Sequence, residues 1–244
     1  MTKEFPSVSA FSFIADICRP YPSKVCSSVF VSKCNFRCPY CINRQLVVGE
    51  EREPVDFPSL LNWLRMRGET TVVVSGGEPF LNQNIFMLFE SLKKAGMTVA
   101  VATNGTFPDR LKEAGGYGLV DHVVMDIKAK LDTTSYSRVT GTEVSDLDLG
   151  RVLESIDYLV NGPDYRPSHE FRTTVCSKFV SKGDLSSIVD HIGYDNVYVL
   201  QPFTHHQTLS ADLAKPDFVV PYEELKSWAS EFSEKIFACI VREV

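Results

Sequence analysis

Three cysteines crowd into eight residues of this chain, at Cys34, Cys38 and Cys41, with the spacing Cys-x3-Cys-x2-Cys. Cysteine thiolates are soft ligands that favour iron–sulfur clusters and zinc. A [4Fe–4S] cluster has four irons, so three thiolates fix it in place and leave one iron open to a ligand that is not protein. We therefore predict that these cysteines hold one [4Fe–4S] cluster with an open iron.

Two other uses of the three thiols stay open on the sequence alone. Structural zinc usually takes four protein ligands, and no further His or Cys stands close enough in the sequence to be an obvious fourth. A redox pair at Cys38 and Cys41 leaves Cys34 without a role. The remaining cysteines have no metal-like spacing and predict no second cluster; they are Cys18, Cys26, Cys176 and Cys239.

The composition is typical of a globular chain rather than of a disordered or membrane-spanning one. Of 244 residues, 44% are apolar and 23% charged, and no apolar run is long enough for a bilayer span or a secretory signal. Lys and Arg number 25 against 31 Asp and Glu, a net charge of −6, so no diffuse attraction to nucleic acid is expected. We expect a cytoplasmic protein that binds neither nucleic acid nor a membrane.

Short β-branched segments alternate with segments of helical periodicity along most of the chain. Buried strands are predicted at 28–33, 70–75, 97–103, 120–127, 169–176 and 195–202. Helices are predicted at 56–67, 84–95, 107–114, 146–161, 183–191 and 221–240. This alternation indicates parallel strands joined by helical crossovers, either as a doubly wound sheet or as a complete or partial barrel.

Polar residues follow directly after these strands, at the end of the sheet where α/β proteins bind ligands. In the segment Ser75–Pro79, the carboxylate of Glu78 beside two glycines suits an ammonium group that approaches the backbone closely. Arg172 lies in an apolar strand and requires an anionic partner, either a ligand carboxylate or one of the acids Glu78 and Asp126. The long loop 203–219 after the sixth strand is expected to cover the site.

Two of the strand ends have ordinary structural explanations as well. Thr103–Gly105 contains an Asn-Gly pair of the kind found in plain turns. Asp126 and Lys128 alternate on one face of a strand, and the alternative to a site role is a solvated ion pair of little consequence. Because Glu78 and Asp126 follow strands instead of lying within apolar runs, we expect both to act on a ligand rather than on stability.

The segment CNFRCPYC, from Cys34 to Cys41, resembles the signature of the radical S-adenosylmethionine (SAM) superfamily. The resemblance implies an α/β fold, a TIM-like partial (β/α)6 barrel, in agreement with the six predicted βα units. It implies one domain over 1–244, with the core barrel at about 25–203 and a C-terminal loop and helix at 204–244. It also implies a [4Fe–4S] cluster that cleaves SAM to a 5′-deoxyadenosyl radical, and a SAM site at Tyr40, Gly76, Gly77, Glu78, Thr103, Asn104, Asp126, Lys128, Arg172 and Gln201.

Further segments resemble the activating enzymes of glycyl radical enzymes, and among them the activators of anaerobic ribonucleoside-triphosphate reductases. This resemblance implies a glycyl radical enzyme as partner and an electron donor such as flavodoxin or ferredoxin. In one departure, Cys41 is followed by Ile42 where those activators commonly have His. The segments that carry the resemblance are Ile14 to Pro22, Val29-Phe30, Gly76 to Pro79, Ala102 to Gly105, Asp121 to Lys128, Phe171 to Val175, Gln201 to Phe203 and Thr208-Leu209.

Two alternative functions remain beside glycine activation. A radical SAM enzyme acting on a small metabolite, such as a carboxy-deazaguanine synthase with its deazapurine precursor, shares the cluster and the barrel. A non-catalytic zinc-binding module also accommodates three cysteines, but it has no need for Gly76, Gly77 and Glu78.

We predict that replacing any one of Cys34, Cys38 or Cys41 with Ala abolishes SAM cleavage, because each change removes one thiolate and opens a second iron to solvent. Cys176→Ala is the matched control and is expected to be nearly silent. The measurement is 5′-deoxyadenosine formed after anaerobic reconstitution and reduction with dithionite. Cleavage at the wild-type level by any of the three single variants would show that the assignment is wrong.

Overall fold

Strands and helices alternate in the computed structural model, which describes residues 7–8, 10–16, 26–48, 55–68, 70–206 and 208–242. The strands, numbered along the chain, are β1 (Ser7–Val8), β2 (Ala10–Asp16), β3 (Cys26–Val31), β4 (Val55–Asp56), β5 (Thr71–Gly76), β6 (Thr98–Thr103), β7 (His122–Asp126), β8 (Ser168–Val175), β9 (Val197–Pro202) and β10 (Ala238–Val241). The helices are α1 (Arg44–Val48), α2 (Phe57–Met66), α3 (Ile85–Lys94), α4 (Pro108–Gly116), α5 (Thr133–Thr140), α6 (Asp146–Asn161), α7 (Lys182–Ile192) and α8 (Tyr222–Phe232). The six predicted strands correspond to β3 and β5 to β9.

Eight of the described strands form one sheet in the order β10-β9-β8-β7-β6-β5-β3-β2. Neighbouring strands are parallel from β10 to β3, and only β2 runs antiparallel, against β3. The sheet has two edges, β2 and β10, and therefore forms an open, partial barrel. This confirms the predicted α/β fold and adds one strand at each edge of the six-stranded core.

The parallel strands are apolar because both of their faces are covered. Val72 and Val74 of β5 and Val99 and Val101 of β6 belong to the large apolar core that lies between the sheet and the helices. A smaller buried cluster contains Val73 and Ala100, from the alternate positions of β5 and β6, together with Cys26 of β3. None of the helices in the described part of the chain is long and apolar enough to cross a membrane.

The chain after β9 differs from the predicted loop and helix over 204–244. The helix expected at 221–240 ends at Phe232, and residues 238–241 form β10, which pairs in parallel with β9. Helix α5 was also not predicted, because it is rich in Thr and Ser, which have modest helix propensity. Asp132 caps this helix by accepting a 2.7 Å hydrogen bond from Ser135 N, and Gly141 ends it in the left-handed region.

The two glycines at the end of β5 let the backbone of the cysteine loop, residues 32–43, approach closely. Gly77 N donates to Val31 O and Glu78 N donates to Lys33 O, each over 2.8 Å. A Cβ atom on Gly77 would lie 1.9 Å from Lys33 O, and one on Gly76 would lie 2.3 Å from Val31 O. The structure therefore gives these glycines a packing role, since an added Cβ atom would meet the backbone of the chain itself. Their role in admitting a ligand stays a prediction, and both line the cavity described below.

We predict that Gly77→Ala lowers the free energy of unfolding by about 3 kcal/mol, because the new methyl group meets backbone atoms that cannot turn aside. Gly116→Ala is the matched control, since a Cβ atom there meets nothing within 4 Å. Urea unfolding of both apoproteins provides the measurement. Equal stabilities of the two variants would contradict the packing of β5 against the cysteine loop.

Candidate functional site

A cavity of about 520 Å³ lies at the carboxyl ends of the parallel strands. Every residue that the sequence assigned to the cluster or to SAM lines it. The thiols are Cys34, Cys38 and Cys41, and the other predicted residues are Tyr40, Gly76, Gly77, Glu78, Thr103, Asn104, Asp126, Lys128, Arg172 and Gln201. The topology thus brings together groups that are up to 167 positions apart, from Cys34 to Gln201, as expected for the carboxyl end of such a sheet.

Side chains of the neighbouring loop hold the first part of the cysteine loop. Asn104 Nδ2 donates to Asn35 Oδ1 over 2.8 Å, and Asn35 Nδ2 donates to Thr106 Oγ1 over 2.9 Å. Arg37 N donates to Thr140 O, the last residue of α5, over 2.8 Å. The loop after β6 and the end of α5 therefore fix the backbone that carries the first two thiols.

The loop after β9 holds the second part of the cysteine loop. Leu209 N donates to Cys41 O and Ser210 N donates to Pro39 O, each over 2.9 Å. Thr204, in the same loop, lines the cavity. This loop therefore packs on the cysteine loop and borders the cavity, in the manner expected of the segment 203–219.

Cys38 is buried and Cys34 and Cys41 are partly buried, and this burial makes the three thiols weak acids. It raises the pKa of Cys34 to about 12 and that of Cys38 to about 11, and it also raises the pKa of Cys41. The positive charge of Lys128 acts in the opposite direction on all three. Because a bound metal converts thiols to thiolates and releases their protons, these three sulfur donors around one cavity fit an iron–sulfur cluster.

Glu78 is 1% exposed, and the oxygens of its buried carboxylate accept hydrogen bonds from the protein. It accepts hydrogen bonds from Thr103 Oγ1 and Asn104 N over 2.7 Å and from Phe80 N over 3.2 Å. Burial raises the pKa of Glu78 to about 7, although these hydrogen bonds and Lys128 favour ionisation. The expectation that Glu78 acts on a ligand rather than on stability stays a prediction, although its hydrogen bonds also tie the ends of β5 and β6 together.

Asp126 is likewise engaged by the protein, between two cations. Arg172 Nε lies 2.6 Å from Asp126 Oδ1, and Lys128 Nζ lies 2.8 Å from Asp126 Oδ2. Burial opposes the ionisation of Asp126, but the two cations outweigh it and hold the pKa of this carboxyl well below its usual range. The ion pair of Asp126 and Lys128 is therefore largely buried rather than solvated. Asp126 is also the anionic partner that Arg172 requires.

The two cations keep donors for a ligand. Among the described residues, no acceptor receives a hydrogen bond from the terminal nitrogens of Arg172, and Asp126 is the one acceptor for the ammonium of Lys128. Both side chains line the cavity. The arrangement suits an anionic group such as a carboxylate, which accepts charge-assisted hydrogen bonds.

Sequence reasoning missed the residues that support the thiols and the apolar part of the cavity. Asn35 and Thr106 carry no signal of their own, because their role arises only from the contact between two loops. Asn43 Nδ2 donates to Gly76 O over 3.2 Å and so links the same loop to β5. The apolar lining residues are Phe30, Phe36, Ile42, Val47, Ala102, Pro202 and Phe203.

Comparison with known proteins identifies the family. Residues 28–160, more than half of the chain, match the radical SAM superfamily. The chain belongs to this superfamily. Its fold is similar to that of Streptococcus suis SuiB bound to the precursor peptide SuiA, with a TM-score of 0.68 and 13% identity over 88% of this chain and 48% of that one. TYW1 with a lysine-pyruvate adduct bound gives a TM-score of 0.61 and 16% identity over 86% and 73%.

Curated relatives of this radical SAM enzyme differ in their activities. A Methanocaldococcus jannaschii protein, provisionally named a glycyl-radical enzyme activating enzyme, is 27% identical over 187 residues, which are 75% of each chain. The 7-carboxy-7-deazaguanine synthase of Aquifex aeolicus is 36% identical over 81 residues, 32% of this chain and 36% of the relative. The GTP 3′,8-cyclase of Saccharophagus degradans is 30% identical over 135 residues, 53% and 39% of the two chains. The superfamily implies a [4Fe–4S] cluster and SAM as cofactors.

We predict that wild-type apoprotein loses stability relative to Glu78→Gln as the pH rises from about 5 to about 8. The folded state raises the pKa of Glu78 from 4.5 to about 7, so it binds the proton more tightly than the unfolded state, and this contribution is lost as the pH passes through the folded pKa. Thermal midpoints at both pH values test it. Glu90→Gln, on an exposed face of α3, is the control and should have little effect at either pH. A difference between wild type and Glu78→Gln that does not change with pH would contradict the role of burial.

Proposed function

We propose that this enzyme holds its [4Fe–4S] cluster on Cys34, Cys38 and Cys41. Support comes from three thiols that line one cavity, on a loop that is hydrogen-bonded to the loops after β6 and β9 and to the end of α5. When bound, the cluster supplies the electron that splits the sulfonium of SAM into methionine and a 5′-deoxyadenosyl radical. The fourth iron is left for SAM, because no fourth cysteine lines the cavity among the described residues.

The residues around the thiols divide into those that bind SAM and those that hold the site in shape. Lys128 and Arg172 offer free donors to the carboxylate of SAM. The hydroxyl of Tyr40 is buried beside Cys38, and the residue lines the cavity. Gln201 lines the same cavity.

Other predicted SAM residues act mainly on the framework. Thr103 and Asn104 donate to Glu78, and the side chain of Asn104 also holds Asn35 of the cysteine loop. Gly76 and Gly77 allow the close approach of that loop. These groups contribute by fixing the geometry of the cavity and by excluding water, which strengthens the electrostatic interactions of the bound cofactor.

The function that the observations support best is the activation of a glycyl radical enzyme, such as an anaerobic ribonucleotide reductase. The main support is the Methanocaldococcus jannaschii relative, which aligns over three quarters of both chains. The synthase relatives align over about a third of this chain, and the GTP 3′,8-cyclase of Chlorobaculum tepidum aligns over 72% of this chain but only 53% of its own length. In this reaction the adenosyl radical takes a hydrogen atom from the Cα of a partner glycine, which leaves 5′-deoxyadenosine and a glycyl radical. A one-electron donor such as flavodoxin or ferredoxin supplies the electron.

The open sheet provides a route for a peptide. Among the described strands, the edges β2 and β10 do not pair with each other, so the sheet is open on that side. Ile42 lines the cavity and is 54% exposed, which places an apolar side chain at the mouth beside the last thiol.

The second candidate is chemistry on a small purine-like metabolite. Its support is the 36% identity to 7-carboxy-7-deazaguanine synthases of Aquifex aeolicus and Hyperthermus butylicus over about a third of this chain. A substrate of this kind needs polar groups that read its ring edges. The cavity provides Asn43, Thr174 and Gln201 for this purpose beyond the charged residues assigned to SAM.

We predict that the reconstituted enzyme, mixed with SAM, dithionite and the candidate reductase of the same genome, generates a doublet in electron paramagnetic resonance that is absent when the partner glycine is replaced by alanine. The Cys38→Ala enzyme is the matched control and should give no signal. If no partner acquires a radical and a purine-like metabolite instead stimulates 5′-deoxyadenosine formation, the metabolite function replaces glycine activation.

A further inference from the structure

A run of alternating charges extends from the cavity into the interior of the barrel. Lys128 pairs with Asp126, Asp126 pairs with Arg172, and Arg242 pairs with Glu170. Arg172 and Glu170 attract each other and join the two parts of the run. The run therefore consists of groups of alternating charge. It connects Arg242, the residue after β10, with the ammonium of Lys128 beside the thiols.

The pair of Glu170 and Arg242 is less exposed than the ion pairs of Asp126 in the cavity. The two side chains are 6% and 12% exposed, and Arg242 Nη2 donates to Glu170 Oε1. Arg242 N donates to Leu200 O over 3.0 Å, which continues the pairing of β10 with β9. The edge strand therefore places a guanidinium in the interior, where an unpaired charge would be costly.

Strand geometry sets Glu170 beside the SAM site. Glu170 and Arg172 are two residues apart in β8 and lie on the same face of the strand. Arg172 is the register partner of Asp126 in β7. Glu170 therefore lies between two guanidinium groups, those of Arg172 and Arg242. Unless Arg242 pairs with it, Glu170 competes with Asp126 for Arg172.

We propose that Arg242 is a positioning residue for the SAM site: it satisfies the carboxylate of Glu170, so that Arg172 stays paired with Asp126 and keeps its terminal nitrogens in the cavity. This inference rests on the proposed role of Arg172 in SAM binding. Neither Arg242 nor Glu170 lines the cavity, so both act through Arg172.

The effect of removing Arg242 depends on the charge of Glu170. Burial raises the pKa of Glu170 to about 7, with Arg242 and Arg172 favouring the ionised form and Asp126 opposing it. His122 of β7 also interacts electrostatically with Arg242, and burial lowers its pKa to about 4, so it stays neutral near pH 7. Without Arg242, the ionised Glu170 at high pH has Arg172 as its remaining cation and draws it away from Asp126. The protonated Glu170 at lower pH makes no such demand.

The experiment measures the SAM affinity of reconstituted holoenzyme by anaerobic calorimetry at about pH 6 and about pH 9, each variant being compared with wild type at the same pH. Arg242→Met should bind SAM about five- to tenfold more weakly than wild type at the higher pH and nearly normally at the lower one. Arg242→Lys keeps the charge and should stay close to wild type. The double variant Arg242→Met with Glu170→Gln removes the competing carboxylate and should restore the affinity at the higher pH.

A packing role for Arg242 predicts a different pattern. An affinity loss that is equal at both pH values and is not restored by Glu170→Gln would overturn the inference. If Arg242→Met alone does not fold, the double variant decides, because near-normal SAM binding by it supports the inference and weak binding overturns it. Asp126→Asn distinguishes failure of the proposed SAM site from failure of the role of Arg242. Unchanged SAM affinity in Asp126→Asn contradicts the proposed SAM site itself. Weaker SAM binding by Asp126→Asn, without weaker binding by Arg242→Met, contradicts only the role of Arg242.

Discussion

The close approach of the end of β5 to the cysteine loop is the constraint on which the site depends. Hydrogen bonds from Gly77 N to Val31 O and from Glu78 N to Lys33 O join the two backbones. A side chain at Gly76 or Gly77 would push the backbones apart. This contact fixes the position of the cysteine loop relative to the sheet. The hydrogen bonds from α5 and from the loops after β6 and β9 then fix the rest of the loop around that position.

Charge balance is the second principle of the cavity. Glu78 and Asp126 are buried carboxylates, and each is satisfied by groups of neighbouring strands before any cofactor binds. Lys128 lowers the pKa of the three thiols and of Glu78 and pairs with Asp126, so this one positive group acts on all of these acids. A site with preformed ion pairs needs little rearrangement when a zwitterionic ligand such as SAM arrives.

The sequence predicted the strands of the core and the residues of the cavity, because both follow from local patterns. Buried β-branched runs define β3 and β5 to β9, and polar residues at their ends must meet at one edge of the sheet. The hydrogen bonds of Glu78 and the packing of the glycines were not predicted, since they depend on contacts with Thr103, Asn104 and Lys33 that only the fold creates. The edge strand β10 was missed because its four residues follow a helix without a turn signal and resemble the end of that helix.

The burial of Cys38 and the partial burial of Cys34 have a consequence for the protein before it receives iron. Thiolates, not thiols, react with peroxide and with disulfides, and burial raises the pKa of both groups, so that both are mainly thiols near neutral pH. Burial therefore slows the oxidation of these two side chains in the apoprotein. The same burial that shapes the cavity thus also preserves the thiols for a metal.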